Sequence, residues 1–208
     1  MAVPLSSARV IRALPPLGLA LALATAAAIP TVDQPIARWT AGRAAASLWR
    51  DGLAAIDRAT GLTWWKWLPT AIVVGLAVVA WLAPPLRRWA RGLTLVAVVH
   101  VATKLALLWL KPATGRLRPG EWLAHGGDAT FGFAKGIAFP SGHTGHYLSI
   151  ALPLAVAWPR LGLPLLAVPV FASASRLATG AHFVSDVTGA AALVVAFTWA
   201  AARLVRVR

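Results

Sequence analysis

The chain has no cysteine, one methionine, one tyrosine and only six acidic residues. Without cysteine there can be no disulfide, thiolate metal site or cysteine nucleophile, and the redox compartment is left open. Charge of either sign is scarce. Asp, Glu, Lys and Arg make up 12% of the 208 residues, against 59% hydrophobic, which excludes an ordinary soluble domain. No polar linker and no repeat of roughly 20 to 50 residues divides the chain, so 1–208 reads as a single domain.

What is abundant is apolar sequence. Six segments approach or exceed the roughly 18 residues that a helix needs to cross a bilayer: about 13–30, 67–83, 92–110, 142–158, 161–178 and 183–202. Gly and Ala recur along them, and small residues let membrane helices approach closely. The expected fold is all-α, an integral membrane bundle of six transmembrane helices. Pro164 and Pro169 predict a kinked or short fifth segment. The formal charge of +14 raises the question of nucleic acid. The basic residues punctuate apolar segments instead of forming one stripe, which argues against such a partner. The bilayer is the expected one, and no protein partner is required.

Orientation follows from the charges. With the N-terminus cytoplasmic, the inner side carries Arg9, Arg12, Arg87, Arg88, Arg91, Arg160, Arg203, Arg206 and Arg208 and no acid. Asp33, Asp51, Asp57, Glu121, Asp128 and Asp186 all then fall outside. Short, purely basic inner loops favour this arrangement, with both termini inside. The first segment also has the features of a secretory signal peptide ending near Ala26-Ala27-Ala28. Its length favours a retained span.

Two outer loops stand out. From about Thr31 to Lys66, the residues Trp39, Ala46, Trp49, Leu53 and Ile56 recur at helical spacing opposite Arg43, Arg50 and Arg58. This predicts an amphipathic helix, lying in the headgroup layer or packed over the bundle. Trp64-Trp65-Lys66-Trp67 reads as an interfacial anchor. The second loop, about Lys111 to Pro140, is rich in Gly, Lys and Arg, and a loop of that length is more often functional than not.

Three stretches concentrate the polar chemistry of the outer side: Lys111 to Pro119, Pro140 to His143, and Ser175-Arg176 followed by His182 and Asp186. Lys111, Arg118 and Arg176 offer three positive charges, two of them planar forks matched to phosphate oxygens. Ser141 stands at the expected N-cap of a long helix, and Gly142 lets a ligand approach the backbone N–H. Helix N-termini attract anions, so a phosphate dianion is the natural guest. His182 and Asp186, four apart, share one helix face. A carboxylate accepting one imidazole N–H leaves the other nitrogen free to attack. His143 supplies a second imidazole that can protonate a departing alkoxide. None of these steps needs a metal or other cofactor. His143, His146, His182 and Asp186 could instead ligate a metal, but the surrounding cations would oppose it, and His146 reads better as a hydrogen-bonded helix residue.

The pattern Lys-x6-Arg-Pro, Pro-Ser-Gly-His, Ser-Arg-x5-His-x3-Asp resembles the type 2 phosphatidic acid phosphatase (PAP2) superfamily, which includes bacterial undecaprenyl-diphosphate phosphatases, lipid A phosphatases and vanadium haloperoxidases. The resemblance implies that His182 forms a phosphohistidine, that Asp186 orients it, and that His143 acts first as acid and then as base for the hydrolytic water. It also implies that Lys111, Arg118, Ser141, Gly142 and Arg176 hold the phosphoryl oxygens. Thr144, where many relatives have Ser, is a mild departure. The implied activity is hydrolysis of a phosphate monoester or diphosphate on a membrane lipid, with the site on the outer, periplasmic side of a bacterial inner membrane. Undecaprenyl diphosphate is the leading substrate, ahead of phosphorylated lipid A, phosphatidylglycerol phosphate and phosphatidic acid. Two alternatives stand beside hydrolysis: transfer of the phosphoryl group to an acceptor alcohol, and a transporter that only binds anions or phospholipids. A haloperoxidase is disfavoured, because those relatives are much larger soluble proteins.

Two basic residues lie outside the motif positions. Lys104 sits within the third segment, seven residues before Lys111 and roughly 10 Å deeper on the same face of a regular helix. An intramembrane lysine faces the protein interior or water. Lining a headgroup cavity, snorkelling and a buried structural bond are all open for it. Arg116 reads equally as a headgroup contact or as an anchor at the end of the span.

Overall fold

The computed structural model describes residues 6–41, 47–127 and 135–206. Arg43, Ala46, Asp128 and Arg208 lie outside the described residues. Among the described residues there is no β-strand. The helices are α1 (Ser7–Thr31), α2 (Asp33–Thr40), α3 (Ser47–Ala59), α4 (Leu68–Leu82), α5 (Arg87–Thr114), α6 (Pro119–Ala124), α7 (Gly142–Ala157), α8 (Pro159–Leu165), α9 (Ala167–Ala178) and α10 (Val184–Val205).

Four stretches are long and apolar enough to cross a membrane: α1, Pro84–Ala124 containing α5, Pro159–Ala178 containing α8 and α9, and α10. The second and fourth expected segments form α4 and α7, of 15 and 16 residues. At 1.5 Å per residue these are about 22 and 24 Å long, below the roughly 30 Å of a hydrocarbon core. The fifth segment is divided at Leu166. Pro169 lacks an N–H to return to Leu165, but falls in the first turn of α9, where a missing donor costs little.

The centre of the bundle is made by α1, α5, α7 and α10, whose Leu14, Leu95, Val99, Leu152, Val156 and Val194 form one buried cluster. α4 packs on the outside of α5. Such helices associate through close packing and interhelical hydrogen bonds, and both are present. Thr25 donates to Thr188 at 2.8 Å across α1 and α10. His100 joins three helices, with Nδ1 2.8 Å from Ser149 Oγ and Nε2 3.0 Å from Thr70 Oγ1. Outward faces carry Leu19, Leu23, Leu76, Val78, Leu105, Trp109 and Val170, all well exposed. An apolar belt of this kind faces lipid in a membrane protein.

α1 runs antiparallel to α10, since Thr25 meets Thr188 and Gly18 meets Val195. α5 is likewise antiparallel to α7, with Gly92 against Trp158 and Gly145 against Leu107. Arg12, Arg91, Arg160 and Arg203 therefore gather at one end of the bundle, and the three motif stretches at the other. The single amphipathic helix expected between Thr31 and Lys66 is instead two helices, α2 and α3. α3 packs on α7 and α9: Leu53 is buried with Tyr147 and Ala172, and Trp49 stacks on Phe171 at 5.3 Å. Trp39, Trp64 and Trp65 are exposed.

Candidate active site

The first two motif stretches are held together through backbone. α5 ends on Gly115, whose positive φ of 55° caps the helix. The chain returning toward α7 docks alongside, with Gly136 N–H donating to Gly115 O and Ala138 N–H to Arg116 O, each at 2.9 Å. Gly136 must be glycine, because a Cβ there would lie 2.1 Å from Arg116 O. Lys111 Nζ donates to Ile137 O at 2.8 Å. Ser141 N–H then donates to Asp186 O at 2.9 Å, which fixes the start of α7 on the start of α10.

His182 precedes α10 and is buried. Its Nδ1 lies 3.1 Å from Asp186 Oδ2. A carboxylate only accepts, so Nδ1 carries the proton and Nε2 keeps its lone pair. Burial pulls the imidazole below its ordinary pKa of 6.5; the Asp186 carboxylate partly restores it, while Arg176 and Lys111 oppose protonation. The shift favours the neutral form of the ring.

Asp186 is fully buried and engaged on both oxygens. Oδ2 also accepts the Phe183 N–H at 2.9 Å, and Oδ1 accepts Arg116 Nη1 at 2.8 Å. Here the structure corrects the sequence reading of Arg116. Its side chain does not face headgroups but is buried, with Nη2 donating to Asp33 Oδ2 at 2.6 Å. Asp33, at the start of α2, also accepts the Ser185 N–H at 2.9 Å and the Ser185 hydroxyl. Behind the imidazole therefore runs a continuous set of contacts from His182 through Asp186 and Arg116 to Asp33.

The expected phosphate-binding residues converge at the same end. Lys111, Arg118 and Arg176 are close enough to feel one another's charge, and among the described residues none forms an ion pair with a carboxylate. Arg176 Nε is buried without a hydrogen-bond partner among them, a donor awaiting an acceptor. Gly142 Cα faces the Lys111 stem. Ser141 occupies the N-cap of α7, though its hydroxyl makes no capping bond; it accepts from Thr144 Oγ1 at 3.1 Å. Three like charges beside a helix N-terminus can serve as a cradle for an anion.

His143 stands beside this cradle, half-exposed, with Nε2 3.2 Å from Asp57 Oδ2 on α3. Tyr147 Oη donates to Asp57 Oδ1 at 2.5 Å. Burial alone would raise the Asp57 pKa, but hydrogen bonds from His143 and Tyr147 outweigh it and hold the carboxyl below 3.8. Asp57, like Asp33, was not singled out by the sequence reading; its signal was scarcity, since a chain with six acids has few to spend on surface. His146 corrects another expectation. Both of its ring nitrogens are buried without a partner among the described residues. Lys104 donates to Lys66 O at 3.0 Å, lies 5.4 Å over the Trp67 ring, and lines a cavity with Lys111, Gly142 and His143. Among the described residues no three His, Asp or Glu side chains converge as a metal-binding group.

A buried His–Asp pair, a second imidazole and several cations stand together at one end of an apolar bundle, an arrangement suited to binding an anion in a membrane protein. The family model described as the PAP2 superfamily matches residues 89–208, more than half of the chain. The protein belongs to the PAP2 superfamily. That membership supports a phosphatase-type enzyme acting on phosphate esters, and the apolar helices support a membrane protein. Comparisons with curated proteins and with solved structures find no match.

Proposed function

We propose that the protein hydrolyses a phosphate monoester or diphosphate on a membrane lipid through a phosphohistidine at His182. The observation that carries this reading is the buried His182–Asp186 pair, 3.1 Å apart, set beside three cations that form no ion pair with a carboxylate among the described residues. His182 Nε2 attacks phosphorus as the bond to the leaving oxygen breaks. Lys111, Arg118, Arg176 and the Gly142 N–H stabilise the charge on the equatorial oxygens, with Ser141 at the same helix start. In its imidazolium form His143 holds Asp57 with one N–H and gives the other proton to the leaving oxygen. Neutral His143 then takes a proton from water as the water attacks the phosphohistidine, releasing inorganic phosphate and restoring His182. Every group in this cycle is a side chain or backbone N–H of the chain itself.

In this reading all six apolar segments span the bilayer. α4 and α7 complete a bundle whose reactive end faces the outer, periplasmic leaflet of a bacterial inner membrane, with both termini cytoplasmic. Undecaprenyl diphosphate is the leading substrate. The test is phosphate release from a panel of lipid phosphates by the detergent-purified protein, without added divalent metal and with His182→Ala as control. Turnover in wild type and none in the variant is expected, together with inhibition by vanadate, which mimics the pentavalent transition state. Undiminished turnover by His182→Ala would remove the phosphohistidine.

A further inference from the structure

The end of the bundle away from the reactive site gathers charge of one sign. Arg87, Arg88, Arg91 and Arg160 are all exposed there, and none forms an ion pair among the described residues. The carboxylates Asp33, Asp57, Glu121 and Asp186 all serve the reactive end. Asp51 lies on α3, which packs near that end through Trp49 and Leu53.

Between the start of α5 and the turn from α7 to α8 lies a cavity of about 370 Å³, lined by Trp89, Ala157, Trp158, Pro159, Arg160 and Leu161. That volume is within the range of small-ligand sites. The cavity is built on a close junction. Gly92 lies so near Trp158 that a Cβ there would come 2.5 Å from the indole ring, and Trp158 packs on Trp89 with ring centroids 5.3 Å apart. The Arg88 guanidinium sits 5.4 Å over the Trp89 ring, an attraction of cation to ring face that keeps its charge at the rim. Trp81 gives its indole N–H to Thr94 Oγ1 at 2.9 Å, whereas those of Trp89 and Trp158 have no acceptor among the described residues. Leu86 and Leu161, beside the cavity, are exposed.

Arginine and tryptophan at a membrane interface anchor a bundle, but anchoring requires no concavity. Two indoles, one arginine in the wall, another at the rim and no carboxylate suit an anion that carries an apolar body. We propose that this cavity binds an anionic phospholipid of the leaflet at the arginine end. Its phosphodiester lies between Arg88 and Arg160, and Leu86 and Leu161 meet its acyl chains. A zwitterionic lipid would bring its own ammonium against the same two cations. Occupancy fastens α5 to α7 at the end opposite the cradle. The site is separate from the reactive end and does not depend on what that end hydrolyses.

The test titrates short-chain phosphatidylglycerol and phosphatidylcholine against the detergent-purified full chain, followed by native mass spectrometry and by Tm. Wild type should bind phosphatidylglycerol roughly tenfold more tightly than phosphatidylcholine and gain Tm on binding it. Arg88→Gln and Arg160→Gln should each weaken that binding about fivefold, the effect of losing one basic contact at an anionic surface. Both side chains are exposed, so their substitution leaves the bundle intact. Arg203→Gln removes an arginine from the same end, one that sits over Trp199 and does not line the cavity. Its affinity should stay close to that of wild type. Vanadate, which competes for the reactive end on the reading above, should leave the binding unchanged. Equal affinity for the two lipids would overturn the site by showing no recognition of the anion. Equal losses in Arg160→Gln and Arg203→Gln would reduce it to diffuse surface charge, and displacement by vanadate would move the binding to the reactive end; either result overturns the proposal.

Discussion

Changing Asp33 to Asn alters one charge and almost no volume, at a residue that touches neither His182 nor any group of the phosphate cradle. The carboxylate accepts from Arg116 Nη2 at 2.6 Å, from the Ser185 N–H at 2.9 Å and from the Ser185 hydroxyl. A carboxamide has one acceptor oxygen for these three donors. If that oxygen keeps the Ser185 N–H, the new NH2 group faces Arg116 donor to donor. Each hydrogen bond to a charged group contributes about 1.5–3 kcal/mol, and removing a buried ionic partner outright costs about 3–5 kcal/mol. Arg116 keeps Asp186, so the expected loss of stability is about 3 kcal/mol, read as a lower Tm in detergent. Arg116 then turns toward its remaining carboxylate, and Asp186 no longer holds the His182 ring at one angle. The expected effect on phosphate release is a tenfold to hundredfold fall in kcat, roughly 1.4–2.7 kcal/mol of barrier, with KM changed less than about threefold. The double variant Asp33→Asn with Arg116→Met also takes from Asp186 Oδ1 its Arg116 donor and leaves a buried carboxylate without its cation, so Tm should stay low and kcat should fall at least as far. A kcat within twofold of wild type in either variant, at equal folded protein, would show that Asp33 and Arg116 only fasten α2 to α10.

Two further outcomes are expected. On the proposed reading His182 attacks as a neutral imidazole, and burial moves its pKa below 6.5, so the acid limb of kcat/KM against pH should fall below 6.5. Asp186 raises that pKa, so Asp186→Asn should move the limb to still lower pH while reducing kcat; a shift to higher pH would contradict the assigned electrostatics. Asp57→Asn should leave His143 without its fixed partner and lower kcat about tenfold to a hundredfold on an alkyl phosphate, part of the roughly 10²–10⁴ that a general acid contributes. On p-nitrophenyl phosphate, whose leaving group needs little protonation, the loss should be under threefold. Equal losses on both would refute a role for Asp57 through the acid.

The three motif stretches were legible because each is short and its chemistry is set by spacing. The four-residue spacing brings His182 to Asp186, although His182 reaches it from the bend before α10 and not along a helix face, and a Pro-Ser-Gly-His run opening a helix announces its own N-terminus. The contacts that position them were not legible in the same way. Arg116 meets Asp33 across 83 positions and His143 meets Asp57 across 86, and no local periodicity marks such pairs. Arg116 reads from sequence as a headgroup contact or an anchor at the end of the span, but it follows the Gly115 cap, where the chain leaves α5, and its side chain is buried. The amphipathic pattern after Thr31 was legible as helix but not as two helices.

The distribution of acids brings these particulars together. Asp33 and Asp186 share Arg116, Asp57 serves His143 and Tyr147, and Glu121 accepts the Arg118 N–H at 2.7 Å to open α6. Each of these carboxylates is committed to shaping the reactive end; Asp186 and Asp57 offset part of the Lys111 and Arg176 charge from a distance, but none of the four forms an ion pair with Lys111, Arg118 or Arg176. In a low-dielectric bundle, like charges so close repel strongly, and the resting site is destabilised by that repulsion until an anion enters. On the reading proposed above, that repulsion is relieved when the phosphoryl group enters and stays relieved through the transfer. The scarcity of acid that first marks this sequence then serves the proposed reaction, since one added carboxylate within the cradle would supply internally the charge that substrate must bring. Introducing such a group as Gly142→Asp, beside the Lys111 stem, should abolish turnover even where the bundle folds.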